Sequence, residues 1–162
     1  MNNDSPGSFI IAMWRKLSPW PGGKFLFSRL LSFTVPYSGA LGANIIELQP
    51  GDAHICLKDR RRTRNHLRCV HAVALTNLGE LTTGLALLTG LPPNVRGIVT
   101  KITTEYIIKA RGNLSANCQC DVPDIVSDQD YEVKASIRDA SNQVVAIVYV
   151  VWRLSPYKPK TE

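Results

Sequence analysis

The sequence predicts an α+β fold in which a curved antiparallel sheet wraps around one long central helix. Residues 70–88 carry apolar side chains at three- and four-residue steps over about five helical turns, with only a thin polar face. Two alternating segments precede this helix and four follow it, which is typical of strands in an antiparallel sheet. Because so apolar a helix must be covered by other structure, we expect the strands to surround it.

The size and charge of the chain narrow the possible functions. With 162 residues, 44% of them apolar and 20% charged, the chain is expected to be a globular protein with a single core. The formal net charge of +6 favours an anionic partner, either nucleic acid, anionic lipid or a phosphorylated small molecule. Neither a zinc-finger spacing nor an aromatic ribonucleoprotein motif is present, so nucleic acid is not the expected partner.

Residues 1–40 predict an N-terminal helical flank. A first helix is expected over residues 8–16, and the prolines and glycines of residues 18–23 end it. A second helix is expected over residues 24–33. The apolar run at residues 9–14 is too short to span a bilayer, and no later run approaches about 18 residues without a charge or a turn. We therefore expect a soluble, cytoplasmic protein without stable membrane association.

The main domain is expected at residues 41–155, followed by a loose tail at 156–162. It begins with a hairpin around a turn at Pro50, and the long helix ends at Gly90 ahead of two prolines. The last strand is apolar on both parities, which predicts that both of its faces are covered. The expected strands are 43–48, 53–58, 95–109, 114–122, 131–137 and 143–154.

Glu80 is the first candidate for catalysis. At about 100° per residue it lies roughly 20° from Val73 around the helix, so its carboxylate is expected at the border of the apolar stripe. Partial loss of hydration raises the pKa of a carboxyl group and makes it a better base near neutral pH. The alternative is an ion pair between Glu80 and a nearby Arg or Lys, which is the commoner arrangement at the edge of an apolar stripe.

His71 and Asn65 are candidates at the start of the long helix. A backbone N–H at a helix start lacks an intrahelical partner and can hold a developing oxyanion, and the His71 side chain could donate to a carbonyl. Asn65, in the loop before the helix, could orient a carbonyl or a water molecule. The alternatives are a capping role for His71 and a turn-forming role for Asn65.

A basic cluster precedes the long helix and suits phosphate groups, although a solvated strand end would carry the same charges. It consists of Lys58, Arg60, Arg61, Arg62, Arg64, His66 and Arg68. No glycine-rich phosphate loop, serine nucleophile elbow or two-histidine zinc motif is present, and the three histidines lack metal-ligand spacing. No metal is therefore expected. The four cysteines lack the usual zinc spacing and are expected to be free thiols.

Several spacings around the long helix agree with one known motif. Asn65, His71 six residues later, Glu80 nine residues after that, and then Thr83 before a glycine resemble the helix motif of hotdog-fold acyl-CoA thioesterases of the phenylacetate-pathway type. The likeness is closer to a thioesterase-like branch whose motif reads Asn-His, Val-His-Ala, Leu and Asn-Leu-x-Glu. The matching residues are Asn65-His66, Val70-His71-Ala72, Leu75 and Asn77-Leu78-Gly79-Glu80.

The resemblance implies a role for each residue of the motif. Glu80 would be the general base or nucleophile that attacks a thioester carbonyl, and Thr83 beside it would help to place the water. The backbone at His71 would polarise the carbonyl, and Asn65 would position the carbonyl or the water. Such enzymes are homodimers or dimers of dimers with sites between subunits. Since Glu80 and His71 are about 180° apart around one helix, a site shared across an interface agrees with the helical geometry.

The resemblance also implies the substrate. Coenzyme A would be part of an acyl-CoA-type substrate rather than a cofactor, and its phosphates would give the basic residues a purpose. The family places this moiety near the turn between the third and fourth strands and near loop arginines. Here those residues are Arg62, Arg64, Lys109 and Arg111.

Two departures from the family motif keep a non-catalytic acyl-CoA- or lipid-binding hotdog protein open as the alternative. The His-Gly-Gly of the family is His71-Ala72-Val73 here, and the side chains crowd a backbone that glycine would leave open to a ligand. In addition, Arg68 replaces a glycine that usually lies between the Asn and the His.

Overall fold

The structure, a computed structural model, describes residues 6–156 and has the hotdog architecture that the sequence predicts. Its helices are Pro6–Leu17 (α1), Gly23–Thr34 (α2), Pro36–Gly39 (α3) and Ala72–Leu88 (α4), with one 3-10 turn at Arg61–Thr63. Its strands are Asn44–Gln49 (β1), Asp52–Leu57 (β2), Val95–Tyr106 (β3), Leu114–Gln119 (β4), Gln129–Arg138 (β5) and Val144–Pro156 (β6).

These strands form a single antiparallel sheet in the order β1-β2-β4-β5-β6-β3. The two edges are therefore β1 and β3. Irregularities interrupt the pairing at Ile45/Glu47, Val99/Lys101 and Ile137/Arg138. Because a bulge bends its strand and increases the local twist, these positions help the sheet to curve around α4.

The core lies between α4 and the inner face of the sheet. Fully buried side chains of β2, β4, β5 and β6 alternate with outward-facing ones, and Leu78 and Leu87 of α4 pack against them. Gly79 allows the closest approach, because a Cβ atom there would lie 2.3 Å from Cβ of Val148 on β6. Glycine at this position, one residue before Glu80, therefore lets α4 pack close to β6.

The N-terminal helices pack beside β1, at one edge of the sheet. The rings of Trp14 and Phe27 meet edge-to-face with centroids 5.0 Å apart. Ser28 Oγ accepts a hydrogen bond from the Ile45 amide at 2.9 Å. Lys24 Nζ donates to the carbonyl of Ile46 at 2.7 Å, so two contacts tie α2 to the first strand.

Several boundaries differ from the expected ones. The long helix begins at Ala72 rather than residue 70, because His71 takes an extended conformation and caps it. A one-turn helix forms at Pro36–Gly39, where only a break was expected. The expectation that β6 is covered on both faces is wrong for its outer face, where side chains such as Ile147 and Tyr149 are only partly buried by residues 6–156. The expected tail beyond residue 156 and the first five residues lie outside the described range.

Within residues 6–156, no helix is both long and apolar enough to cross a membrane. Cys56, Cys69, Cys118 and Cys120 are free thiols.

Candidate functional site

Glu80 lies in the middle of α4 and is partly buried. Burial raises the pKa of its carboxyl group above the ordinary range. Among residues 6–156, no side chain forms an ion pair or a hydrogen bond with this carboxylate, so the alternative of an edge-of-stripe salt bridge has no partner here. A desolvated carboxylate that is not neutralised by a neighbour is suited to accept a proton.

Thr83 follows Glu80 on the next turn and is fully buried. Its Oγ1 donates a hydrogen bond to the main-chain carbonyl of Glu80 at 2.9 Å. The hydroxyl hydrogen is therefore used by the backbone, and only the acceptor capacity of the oxygen is left. A role for Thr83 in placing water stays a prediction.

At the start of α4, the free backbone amide is not the one that was expected. The amide of His71 is not unpaired, because it donates to the carbonyl of Thr63 at 2.8 Å. The Nδ1 atom of His71 accepts from the amide of Val73 at 3.1 Å, which makes the side chain a helix cap. Within the described part of the chain, the amide of Ala72 has no acceptor. The free donor at the positive end of the helix is thus one residue later than expected.

Asn65 forms a turn and still presents a donor. Its Oδ1 accepts from the amides of Leu67 at 2.9 Å and Cys69 at 3.1 Å, and its own amide donates to the carbonyl of Cys69 at 2.8 Å. The Nδ2 group has no acceptor among residues 6–156. Arg68, inside this turn, has a φ of 58°, in the left-handed region that favours glycine. Arg68 therefore has a backbone conformation that a glycine would adopt more easily.

A cleft of about 320 Å³ opens between this turn, the start of α4 and the end of β3. Asn65, Ala72, Leu75, Tyr106, Ile108 and Lys109 are among its walls. The Tyr106 hydroxyl lies 3.2 Å from the carbonyl oxygen of Ala72 and 3.0 Å from Thr76 Oγ1. Sequence reasoning did not single out Tyr106, because the irregularity at Val99/Lys101 changes which residues of β3 face α4.

Glu80 does not line this cleft. It lies eight residues beyond Ala72, a rise of about 12 Å along the helix. The structure brings Asn65, Ala72 and Lys109 together, and it leaves Glu80 with Thr83 further along the same helix. Within one chain, the carboxylate and the two free donors are two separate groups.

The basic residues flank the cleft without all converging on it. Arg64 donates twice to the Asp59 carboxylate, at 2.7 and 3.0 Å, and this guanidinium holds the pKa of Asp59 below its usual range. Asp59 also accepts from the Gly112 amide at 3.1 Å, which ties the two loops together. Arg111 is exposed on the second of these loops. Arg62 is exposed as well, with its guanidinium beside Gly42, in the loop between α3 and β1.

A second cleft, of about 670 Å³, lies on the outer face of the sheet and was not anticipated. Its walls carry charged side chains of both signs, including Glu47 and Lys134. His54 Nε2 lies 2.7 Å from Ser115 Oγ there. On this face the backbone amides of β2 and β4 pair with each other, so the cleft lacks the free main-chain donors found at the start of α4. We therefore place the candidate site at α4.

Comparison with known proteins supports this fold and identifies a family. The sequence profile described as Domain of unknown function (DUF4442) matches residues 23–154. Among curated proteins, none matches the chain.

Solved structures are similar over most of the chain. The genomics target APC5556 is 26% identical, with a TM-score of 0.79 over 93% of this chain and 98% of that one. Protein PA5026 from Pseudomonas aeruginosa, described as a probable thioesterase, is 21% identical with a TM-score of 0.73 over 80% and 93%. The thioesterase SAV0944 from Staphylococcus aureus is 14% identical with a TM-score of 0.66 over 75% and 99%. The resemblance to hotdog-fold thioesterase proteins suggested by residues 65–84 is confirmed at the level of the fold.

Proposed function

The chain belongs to the DUF4442 family, and from that premise we propose that it is a thioesterase that hydrolyses an acyl-CoA-type thioester with Glu80. The observation that carries the proposal is the Glu80 carboxylate itself, which is partly buried, has a raised pKa and has no partner among the described residues. It stands at the position where the thioesterase motif has its acidic residue. The solved structures described as thioesterases support the same reaction class.

The chemistry needs a base and a route for one proton. Glu80 removes a proton from water while the water oxygen bonds to the thioester carbonyl carbon. Collapse of the tetrahedral intermediate breaks the C–S bond, and the proton held by Glu80 passes to the departing sulfur. If Glu80 instead attacks the carbonyl carbon directly, the C–S bond breaks, the CoA sulfur leaves as a thiolate that takes a proton from solvent, and water then cleaves the mixed anhydride formed on Glu80. A single turnover in H₂¹⁸O distinguishes the routes, because only the second can leave the label in Glu80.

The start of α4 supplies the donors that such a reaction requires. The Ala72 amide and Asn65 Nδ2 are both free and both lie at the same cleft. Two such donors stabilise the negative charge that develops on the carbonyl oxygen, and the positive end of the helix adds to the effect. This assignment replaces the amide of His71, which is already paired.

The distance between base and donors requires a second subunit. We propose that each site combines Glu80 of one chain with Asn65 and Ala72 of the partner subunit. The edge strand β3 is a suitable interface, because it is long and carries exposed apolar side chains on both faces, with Ile98 67% exposed and Ile102 39% exposed. An unpaired apolar edge of this length is a template for pairing with another strand.

The walls of the cleft fit the two parts of an acyl-CoA. Leu75 and Ile108 offer apolar surface to an acyl group, whereas Lys109 and the nearby Arg111 offer positive charge to phosphates. Arg64 is engaged with Asp59, so its contribution would be to the shape of the loop as well as to its charge.

Ala72 and Val73 favour one alternative, an acyl-CoA-binding protein without turnover. Val73 is exposed at the helix start, where the family motif has a glycine. Saturable binding of acyl-CoA without release of thiol would support this second function.

The test is release of free thiol from acyl-CoAs of increasing chain length by the purified protein. We expect Glu80→Gln and Glu80→Ala to lower turnover by roughly 100-fold or more, the range for loss of a general base. Glu132→Gln is the matched control, since Glu132 is an exposed carboxylate on β5, away from α4. Turnover by Glu80→Gln equal to that of the unmodified protein would reject the proposal.

A further inference from the structure

The outward face of the N-terminal helices exposes an unusual number of aromatic rings. We define this flank face by Phe9, Trp20, Phe25, Phe33 and Tyr37. Trp20, Phe33 and Tyr37 are 71%, 73% and 74% exposed. Phe9 and Phe25 are 60% and 64% exposed. Exposed aromatic rings in this number are typical of a surface that binds something.

Helix α2 is the centre of the flank face, and it carries large apolar side chains on its outer side as well as on its inner side. Phe27 and Leu31 point into the core, whereas Phe25, Leu26, Leu30 and Phe33 point away from it. A surface helix normally has polar residues on its outer side. Only one side of α2 is covered by the described residues, so its sequence is typical of a helix that has a second contact.

The charged residues of the N-terminal helices are all of one sign. Residues 5–46 contain no Asp or Glu, although the chain has 13 of them in total. The same segment has Arg15, Lys16, Lys24 and Arg29, and all four are exposed. Exposed Trp, Tyr and Phe among cations and without carboxylates match the interface of an anionic bilayer, where rings enter the headgroup region and cations meet lipid phosphates.

We propose that the flank face docks the protein reversibly on an anionic lipid bilayer. A second copy of the chain fits it poorly, because two flank faces would bring eight cations and no carboxylates from these segments together. Helix α2 packs beside β1, and β3 is the opposite edge of the sheet, so pairing through β3 would leave the flank face free. The docking is independent of the proposed hydrolysis and departs from the expectation of no stable membrane association.

Trp20 provides an internal probe for the test. The other two tryptophans, Trp14 and Trp152, are only 7% and 4% exposed, so a change in fluorescence on docking reports mainly on Trp20. The full-length chain is mixed with large vesicles of phosphatidylcholine alone, or of phosphatidylcholine with phosphatidylglycerol. We expect a blue shift of the emission and co-sedimentation with the anionic vesicles, both weakened by salt, and neither effect with the neutral vesicles.

Three variants give the test its specificity. Phe25→Ser with Phe33→Ser is expected to weaken vesicle binding at least tenfold, and Arg15→Glu with Lys16→Glu by roughly fivefold or more per residue. Val126→Ser is the control, because Val126 is a fully exposed apolar residue in the loop before β5. Circular dichroism melting checks that the variants are folded, and their thiol release without vesicles is expected to be unchanged.

Three results would overturn the docking proposal: no binding to anionic vesicles, equal binding to neutral vesicles, or full binding by the Phe25→Ser/Phe33→Ser variant. A smaller sedimenting mass for that variant would show that a second copy covers the flank face instead. Failure of thiol release alone would count against the enzyme but not against the docking.

Discussion

The start and the middle of α4 have opposite chemical character. At the start, the Ala72 amide and Asn65 Nδ2 are free donors in a cleft that also contains Lys109. In the middle, Glu80 is a partly buried acceptor with a raised pKa and no partner in residues 6–156. One region is prepared to receive negative charge, and the other is prepared to receive a proton.

This difference explains why neither region is complete by itself. Thioester hydrolysis needs both a base and donors for the oxyanion, within a few ångströms of one carbonyl group. Along one helix the two regions are about 12 Å apart. In the proposed mechanism the helix carries two half-sites, which a second copy of the chain joins.

The largest effect is expected from separating the two copies. Ile98→Lys with Ile102→Lys places charges on both faces of the β3 edge, which opposes strand pairing. Sedimentation velocity is expected to show a shift from a dimer or larger species to the 17.9 kDa monomer, with loss of thiol release. Val126→Lys, which changes a fully exposed residue in a loop, should leave the mass unchanged. A dimer that persists in the double variant would exclude β3 as the interface.

A smaller effect concerns how the charge of Glu80 changes the stability of the protein with pH. The pKa of Glu80 is raised by burial, so folding favours its protonated form. The associated stability is fully present below about pH 4, the ordinary range of a Glu carboxyl, and is lost as the pH rises through the folded-state pKa. Glu80→Gln should therefore melt at a higher temperature than the unmodified protein at pH 7, with a smaller difference near pH 4. An equal difference at both pH values would argue against a desolvated carboxylate.

The smallest effect concerns the turn that presents Asn65. Arg68→Gly removes a side chain from a left-handed position, so we expect a gain of about 0.5–1 kcal/mol in the free energy of unfolding. For a chain of this size that corresponds to about 1–4 °C in the melting temperature. Arg62→Gly, at an exposed position in the 3-10 turn, should not give this gain. A lower melting temperature for Arg68→Gly would show that the arginine side chain stabilises the turn by contacts of its own.

The architecture could be predicted because the periodicity of α4 and the alternation of the strands are local patterns. Only a sheet wrapped around the helix covers the apolar faces of both. The position of Glu80 at the edge of the apolar stripe followed from helical geometry alone. The pairing of the His71 amide with Thr63 could not be predicted, because it depends on how a preceding loop folds back. The same holds for Tyr106 beside Ala72, since register between a strand and a helix is set by packing rather than by sequence spacing.

The flank face was not predicted from the sequence either. Apolar side chains recur on both sides of α2, and their spacing does not show that Phe25 and Phe33 stay uncovered. In the structure Phe27 is buried, whereas Phe25 and Phe33 are exposed.

The most direct test of whether Glu80 and Asn65 of different chains form one site is complementation between two inactive variants. Glu80→Gln and Asn65→Ala chains are produced separately, then unfolded and refolded together in equal amounts. With random pairing, half of the dimers are mixed, and one of the two sites in each mixed dimer lacks both defects, so about a quarter of the unmodified activity should return. If Glu80 and Asn65 of the same chain form the site, every site carries a defect, and the mixture will show only the average of the two variants.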